Sequence, residues 1–173
     1  MALSFIISLA LVIFLFLFGL TIWSALIGAP YFITPKKAIR EIFELAQIRP
    51  GQKLYDLGSG NGKTLIIAQK EFGAQATGFE LSPIVYLIAQ LNLLFHGVKD
   101  AKLYCKNFYK QDLSDADVIF CFLSIPAMER LKPKFEKELR PRTKIISYSF
   151  SIRGWTPKEV IEGYPGNVYL YEV

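Results

Sequence analysis

Charge is absent from the first 35 residues of this 173-residue chain, and cysteine and histidine are scarce throughout. All 20 Lys and Arg and all 15 Asp and Glu fall at or after Lys36, where they make up about a quarter of the remainder, the usual share for a soluble domain. With only two Cys and 52% hydrophobic residues, the chain is neither a disulfide-rich secreted module nor disordered. No second long uncharged run follows, which excludes a polytopic membrane protein. The sequence therefore predicts an apolar leader joined to one globular domain.

The leader is predicted to be a membrane anchor. From Leu3 to Ala29 it consists almost entirely of Leu, Ile, Val, Phe, Ala and Gly, and at ~1.5 Å per residue such a helix is long enough to cross a bilayer core of ~30 Å. A cleaved signal peptide is the alternative, but it normally has a basic start and a shorter apolar run. Since Lys36, Lys37 and Arg40 follow the run and no basic residue precedes it, we expect the globular part on the cytoplasmic side.

The two cysteines and the lone histidine suggest structural roles. Cys105 and Cys121 lie in apolar, strand-like runs, so we expect both to be buried thiols in a reducing compartment, and their spacing fits no metal site. His96 is expected to end a helix. The net charge of +5 fits solubility and attraction to anionic lipid, and we expect no nucleic-acid partner.

Apolar runs of strand type alternate with helical patterns along the globular part. Strands are predicted at 53–57, 74–80, 102–105, 117–123, 144–149 and 168–172, and helices at 35–47, 62–72, 83–96 and 126–139. Thr34 is expected to cap the first of these helices, with Pro35 at its first position. The alternation predicts a doubly wound α/β fold, with a parallel sheet and an antiparallel strand added at the end.

A glycine-rich turn, DLGSGNGKT, begins at Asp56, where the first strand passes into a helix. A dinucleotide fingerprint would need glycine at Lys63, and a P-loop would need glycine at Leu57. The third possible ligand is S-adenosylmethionine (SAM), which carries an ammonium and a sulfonium. Asp56 would repel phosphates but attract these cations, and Glu80, at the end of the next strand, could accept both ribose hydroxyls. Charge at the turn therefore favours SAM.

These motifs resemble those of class I (seven-strand) SAM-dependent methyltransferases. YDLGSGNG at 55–62 and Glu80 match the first two motifs of that class. The apolar leader, PYFITP at 30–35, GFELSP at 78–83 and GWTP at 154–157 run in the order found in one family. That family comprises the membrane-anchored protein-lysine methyltransferases whose eukaryotic members act on the ATP synthase c-subunit and adenine nucleotide translocase.

The resemblance implies a Rossmann-like class I methyltransferase sheet preceded by one N-terminal transmembrane helix. It implies an anchor at 1–30, a linker and pre-core helix at 31–50, and a SAM-dependent methyltransferase domain at 51–173. The residues that would bind SAM are Tyr31, Thr34, Asp56, Gly58, Ser59, Gly60, Asn61, Gly62, Glu80, Leu81, Asn107 and Phe108. The chain departs from the family at two of these positions, because Asn61 and Asn107 stand where acidic residues are common.

The methyl acceptor is less clearly marked, and no residue is evident as a catalytic base. Candidates to line an acceptor channel lie where we expect the fourth and fifth strands to end, namely Ser124, Pro126, Tyr148 and Trp155. The aromatic residues could surround an alkylammonium group, or could simply cover the core. The Asp/Asn-Pro-Pro-aromatic tetrad of enzymes that methylate nucleobase or glutamine nitrogens does not follow the fourth strand.

An open site beside a bilayer favours a membrane protein as the acceptor. Two alternatives remain at this stage. The acceptor could be a lipid or another small molecule partitioned into the membrane. The domain could also bind SAM or a nucleotide without turnover.

Overall fold

The computed structural model describes residues 2–27, 34–162 and 166–173. The helices are α1 Ala2–Ile27, α2 Lys36–Leu45, α3 Lys63–Phe72, α4 Pro83–Phe95 and α5 Ile125–Glu138, with a 3-10 turn at Phe108–Lys110. The strands are β1 Lys53–Leu57, β2 Gln75–Glu80, β3 Lys102–Cys105, β4 Val118–Cys121, β5 Lys144–Tyr148, β6 Glu159–Ile161 and β7 Val168–Glu172. This order confirms the predicted alternation.

The seven strands form one sheet in the order β3-β2-β1-β4-β5-β7-β6. The first five are parallel, whereas β7 runs antiparallel to both β5 and β6. Asp56 in β1 lies opposite Gly78 in β2 and Phe120 in β4. The strand order reverses at β1, and ligands of doubly wound folds bind in the crevice at the carboxyl ends of the strands where this happens. The glycine-rich turn therefore lies at the expected binding edge.

Two hydrophobic clusters hold the helices on the sheet. One contains residues of α2, α3 and α4 and the other contains residues of α5. The helical spacing of Ile39, Ile42 and Phe43 buries all three against the first cluster. The Phe43 ring packs edge-to-face on Phe72 and Phe120, with centroids 5.4 and 5.9 Å away. A buried aromatic side chain of this kind contributes about 2–3 kcal/mol.

The start of α2 and the burial of one cysteine differ from expectation. Pro35 has an extended ψ of 139°, so α2 begins one residue later, and Thr34 is buried instead of capping the helix. Cys105 is exposed because β3 is an edge strand, whereas Cys121 in the central β4 is buried as predicted. Both thiols are free.

Two further differences concern strand limits. The strand predicted at 117–123 is shorter in the structure, where β4 spans Val118–Cys121. Phe122 and Leu123 follow the end of the strand at the carboxyl edge of the sheet. β6, a three-residue strand that pairs with β7 at the edge of the sheet, was not predicted. The sequence Tyr164-Pro165-Gly166-Asn167 also predicts a turn before β7, and of these residues Tyr164 and Pro165 lie outside the described ones.

The first helix has the length and composition of a membrane span. α1 has 26 residues, and its window from Leu3 to Leu20 contains no charged residue and has a mean hydropathy of 2.9. The side chains described in this window are exposed, apart from the half-covered Leu17 and Leu20. α1 also contacts α4.

Candidate active site

The glycine-rich turn links β1 to α3 through backbone conformations that favour glycine. Gly58, Gly60 and Gly62 have φ values of 85°, 53° and 75°, in the left-handed region that other residues rarely adopt. The amides of Gly58 and Ser59 donate to the carbonyl of Phe79 at 2.9 and 3.0 Å. These bonds hold the turn against the end of β2, with backbone available to a ligand in the crevice.

Glu80 joins this turn to the segment after β2. Its Oε2 accepts a hydrogen bond from the Gly60 amide at 3.0 Å, and its Oε1 accepts one from the Ser82 amide at 2.8 Å. Burial raises the pKa of the Glu80 carboxyl, and the backbone donors partly oppose this. An ionised carboxylate can accept about four hydrogen bonds, so the group retains capacity for two ligand hydroxyls.

Asp56 places a second carboxyl beneath the turn, with only 2% of its surface exposed. Burial, with a smaller contribution from the negative charge of Glu80, raises its pKa to about 7, and a hydrogen bond from the Thr64 hydroxyl opposes the shift. A bound cation would favour the ionised form. Because the Thr64 hydroxyl is hydrogen-bonded to Asp56, it is not placed to ligate the Mg²⁺ of a nucleotide as a P-loop threonine does.

One polar atom in the turn lacks a protein partner among the described residues. The Ser59 hydroxyl is buried and makes no hydrogen bond, although buried hydroxyls normally find a partner. It lies against Gly78, where an added Cβ would be 2.9 Å from the Ser59 Cβ. The unpaired hydroxyl, the glycine backbone and the two carboxyls together fit a cationic ligand that also carries hydroxyls.

The two asparagines of the predicted cofactor set make local hydrogen bonds. The Asn61 side chain accepts from the Lys63 amide at 3.4 Å, and its backbone carbonyl accepts from the Asn92 side chain at 2.8 Å. The Asn107 side chain accepts from the Tyr109 amide at 3.0 Å and caps the 3-10 turn after β3.

The remaining predicted cofactor residues are distributed as follows. Leu81 directly follows β2, and Phe108 is buried after β3 with its ring 4.5 Å from that of Tyr109. Thr34 is buried just before α2. Tyr31 lies outside the described residues. Apart from Thr34 and Tyr31, the predicted set converges on the carboxyl ends of β1, β2 and β3.

The acceptor candidates are divided between the two sides of the sheet. Tyr148, which ends β5, is buried in the cluster with α2 to α4, and its hydroxyl makes no hydrogen bond within the described part of the chain. Trp155 packs with the α5 cluster and donates to Glu136 at 3.2 Å. Ser124 immediately precedes α5, and Pro126 is exposed in its first turn. The described contacts therefore do not bring Tyr148 and Trp155 together.

Sequence reasoning missed two residues of this edge. Phe122 follows β4, and its ring lies 4.6 Å from that of Tyr148. Asn92 lies on α4, whose only amide side chains are Gln90 and Asn92, and a half-buried amide in an otherwise largely apolar helix is the signal that could have drawn attention to it.

Comparison with known proteins identifies the family. A sequence model described as the ANTKMT methyltransferase domain matches residues 56–159, which is more than half of the chain. The chain belongs to this methyltransferase family. A protein-lysine N-methyltransferase of Saccharolobus islandicus is 41% identical over 150 residues, a match that covers 83% of this chain and 93% of the relative. The family assignment made from the motifs is therefore confirmed.

Two animal relatives are more distant and longer. Mouse adenine nucleotide translocase lysine N-methyltransferase is 28% identical, and the human lysine N-methyltransferase of the ATP synthase c-subunit is 29% identical. Each match covers 83% of this chain, but only 63% of the mouse protein and 61% of the human protein. The chain thus spans less than two thirds of either relative.

A solved structure supports the same fold and cofactor. An RNA methyltransferase of Salinibacter ruber, in complex with S-adenosyl-L-homocysteine, superimposes with a TM-score of 0.79 at 29% identity. The match covers 82% of this chain and 93% of that one. Family and fold together show that this chain is a SAM-dependent methyltransferase of the protein-lysine N-methyltransferase family.

Proposed function

We propose that this enzyme methylates lysine side chains of a protein embedded in, or lying against, a membrane. The observation that carries the proposal is the joining of an apolar helix of membrane-spanning length to a domain of the protein-lysine methyltransferase family. The mouse and human relatives are named for acting on adenine nucleotide translocase and on the ATP synthase c-subunit. An acceptor in or beside a membrane would account for an anchored enzyme.

In the proposed mechanism, the turn and its two carboxyls bind the cofactor. SAM supplies an electrophilic methyl group on a positively charged sulfur. The Glu80 carboxylate would accept the ribose hydroxyls while it keeps the Gly60 amide in place. Asp56 would supply negative charge below the turn, which favours a cationic methyl donor over a phosphate. Gly58 and Gly60 would let the backbone approach the ligand closely.

Tyr148 and Phe122 are the groups we assign to the acceptor side. Leu57, Cys121 and Ser147 are register partners across β1, β4 and β5, so Phe122 and Tyr148 stand one residue further on, at the level of Gly58. Their rings would enclose the lysine side chain, and the Tyr148 hydroxyl, which makes no hydrogen bond among the described residues, would hold the lysine amine. A desolvated amine loses its proton more readily, and fixed alignment with the methyl group supplies much of the acceleration.

The anchor would hold the catalytic domain on the cytoplasmic side. Lys36, Lys37 and Arg40 follow α1 and no charged residue precedes them, which is the pattern of a segment retained on that side. A membrane lipid or a membrane-partitioned small molecule is the competing acceptor.

Methyl labelling separates the acceptors. Membranes containing the full chain are incubated with SAM carrying a radioactive methyl group, and protein and lipid are then extracted separately. We expect the label in protein, and as methylated lysine after hydrolysis. Glu80→Ala should abolish it, whereas Glu71→Ala, which removes an exposed carboxylate paired with Arg40, should not. Label confined to the lipid extract would refute the proposal.

A further inference from the structure

The outer side of α4 is an exposed apolar surface. Its inward-facing residues Ala89 and Leu93 are buried. The outer side includes one exposed polar residue, Gln90, which donates to the Tyr86 hydroxyl at 2.9 Å. The other exposed residues of the helix recur at helical spacing and are large and hydrophobic. We call them the α4 stripe: Leu87, Ile88, Leu91, Leu94 and Phe95, which are exposed by 57%, 51%, 53%, 71% and 82%. A contiguous surface of this kind marks an interaction site.

The α4 stripe adjoins the part of the chain that leads to α1. α1 contacts α4 directly. The other end of the connection to α1 is also close, since the Lys36 ammonium that begins α2 lies 3.4 Å from the His96 ring that ends α4. The stripe is therefore placed beside the helix that is long and apolar enough to cross a bilayer.

Positive charge surrounds the carboxyl end of the stripe. Lys36, Lys70 and Lys99 are all exposed there, and the Lys70 ammonium donates to the His96 carbonyl at 2.8 Å. Two acidic side chains lie nearby. Glu71 is paired with Arg40, whereas Asp100 accepts a hydrogen bond from the neutral Gln69 and keeps its negative charge, so the three lysines leave a net positive charge at this end.

A membrane surface matches this arrangement. An apolar helix face bordered by lysines suits an anionic membrane surface, where the apolar side chains enter the acyl boundary and the ammonium groups meet phosphates.

We propose that the α4 stripe lies in the headgroup region of an anionic bilayer, so that the enzyme is held by two contacts, α1 through the membrane and α4 on its surface. The proposal rests on the membrane location proposed above. A single span would leave the domain free to rotate and tilt. A second contact fixes its orientation.

Fixing the orientation of α4 would also fix the orientation of the glycine-rich turn. From the inner side of α4, the Asn92 amide donates to the Asn61 carbonyl at 2.8 Å. A Cβ added at Gly62 would be 3.5 Å from the Ala89 side chain. The helix that touches the bilayer is thus the one that supports the turn, and docking would set the direction in which the crevice faces.

Spin-label accessibility in the full chain tests the proposal. The exposed Cys105 is first changed to Ser, which leaves the buried Cys121. Single nitroxide labels are then attached in three variants: Leu91→Cys in the stripe, Val12→Cys in α1, and Lys137→Cys on the exposed surface of α5. The protein is reconstituted into vesicles of phosphatidylcholine with roughly a third phosphatidylglycerol. Collisions with oxygen, which concentrates in lipid, are compared with collisions with a water-soluble nickel chelate.

We expect the ratio of oxygen to nickel collisions at positions 91 and 12 to exceed that at position 137 several-fold. A lipid-exposed label at 12 with a water-exposed label at 91 would overturn the docking proposal and leave the anchor intact. A water-exposed label at 12 would instead refute the membrane location itself. Dipolar broadening between labels at 91 would show that a second copy of the chain covers the stripe, and would also overturn the proposal.

Discussion

Asp56 is almost completely buried and lies directly beneath the glycine-rich turn. In the free protein its pKa of about 7 means that a substantial fraction of the carboxyl is protonated at neutral pH. A cationic ligand favours the ionised carboxylate, so ligand binding and loss of the proton are linked. At the scale of single residues, this linkage gives predictions for both affinity and stability.

The affinity for SAM should rise with pH between about pH 6 and pH 8. Below the pKa of Asp56 the rise should be up to about tenfold per pH unit. Isothermal titration calorimetry across this range measures it. Asp56→Asn should bind SAM more weakly and with a flatter pH profile. Because the amine of SAM itself titrates identically in both experiments, the difference between the profiles isolates Asp56. Parallel profiles for the two proteins would contradict this.

Stability should respond in the opposite direction. Between about pH 4 and pH 7 the folded protein retains the Asp56 proton while the unfolded chain releases it, so the free energy of unfolding falls as pH rises through this window. Without cofactor, Asp56→Asn should therefore be more stable than the wild type at pH 8, by about 2–4 kcal/mol. This gain should shrink towards pH 4. Unfolding in mild detergent at both pH values tests the sign, and equal effects would show that the titration is not the cause.

Tyr148→Phe should lower kcat by about tenfold or more, with little change in SAM affinity. Stability should be nearly unchanged or improved, since the hydroxyl that is removed is buried and unpaired within the described structure. Steady-state kinetics and thermal unfolding measure the two effects. Tyr55→Phe is the matched control: its hydroxyl donates to Asp115 at 2.6 Å, so its loss should cost about 1 kcal/mol and spare kcat. Equal kcat in wild type and Tyr148→Phe would exclude the assigned role.

At the scale of elements, the position of the glycine-rich turn depends on how closely β2 approaches it. A Cβ added at Gly78 would be 2.7 Å from the Leu65 side chain and 2.9 Å from the Ser59 side chain. β2 can therefore lie against both α3 and the turn only because this position lacks a side chain. The same strand carries Glu80, which fixes the turn from its other side.

Gly78→Ala should displace the turn, weaken SAM binding at least tenfold and cost about 1–3 kcal/mol of stability. Binding titrations and thermal unfolding provide the measurements. Gly19→Ala in α1, where no atom of the described residues lies within 4 Å of the added carbon, should leave SAM affinity unchanged. If Gly78→Ala binds SAM as the wild type does, the turn does not depend on this close approach.

The sequence predicted elements best where local signals and tertiary packing agree. The limits of β1, β3 and β7 were correct because apolar strand residues end at clear turn signals. Cys105 was misplaced because a short apolar run does not reveal whether its strand is central or at an edge. β6 was missed because an outer strand of three residues buries too little to leave a pattern.

The candidate site was predictable to a similar extent. Asp56, the glycines and Glu80 follow from charge and strand ends. The contact between Phe122 and Tyr148 depends on the pairing of β4 with β5, which one sequence does not state.

At the scale of the whole molecule, a helix of membrane-spanning length precedes a domain with one exposed and one buried thiol. These thiols allow the proposed orientation to be tested without any substitution. Cys105 lies on the globular domain and reports which side of the membrane faces the reagent, while Cys121 serves as an internal control.

A membrane-impermeant maleimide at about pH 8 should label Cys105 in inverted membrane vesicles but not in intact cells. The mildly alkaline pH is needed because burial and the charge of Glu80 raise the pKa of this thiol. Cys121 should react only after denaturation. Labelling of Cys105 in intact cells would place the domain on the opposite side.

The hydrogen bond from Asn92 to Asn61 has a consequence for which amines the enzyme can use. It holds the turn that we propose binds the methyl donor on one side of α4, while the opposite side of the same helix is assigned to the bilayer. A helix with its side chains is about 10 Å across. The thickness of α4 would therefore set the distance between the membrane surface and the site of methyl transfer. Lysines on short loops close to the membrane surface would reach the active site at this distance. Lysines on large extramembrane domains would lie too far from the membrane to reach it.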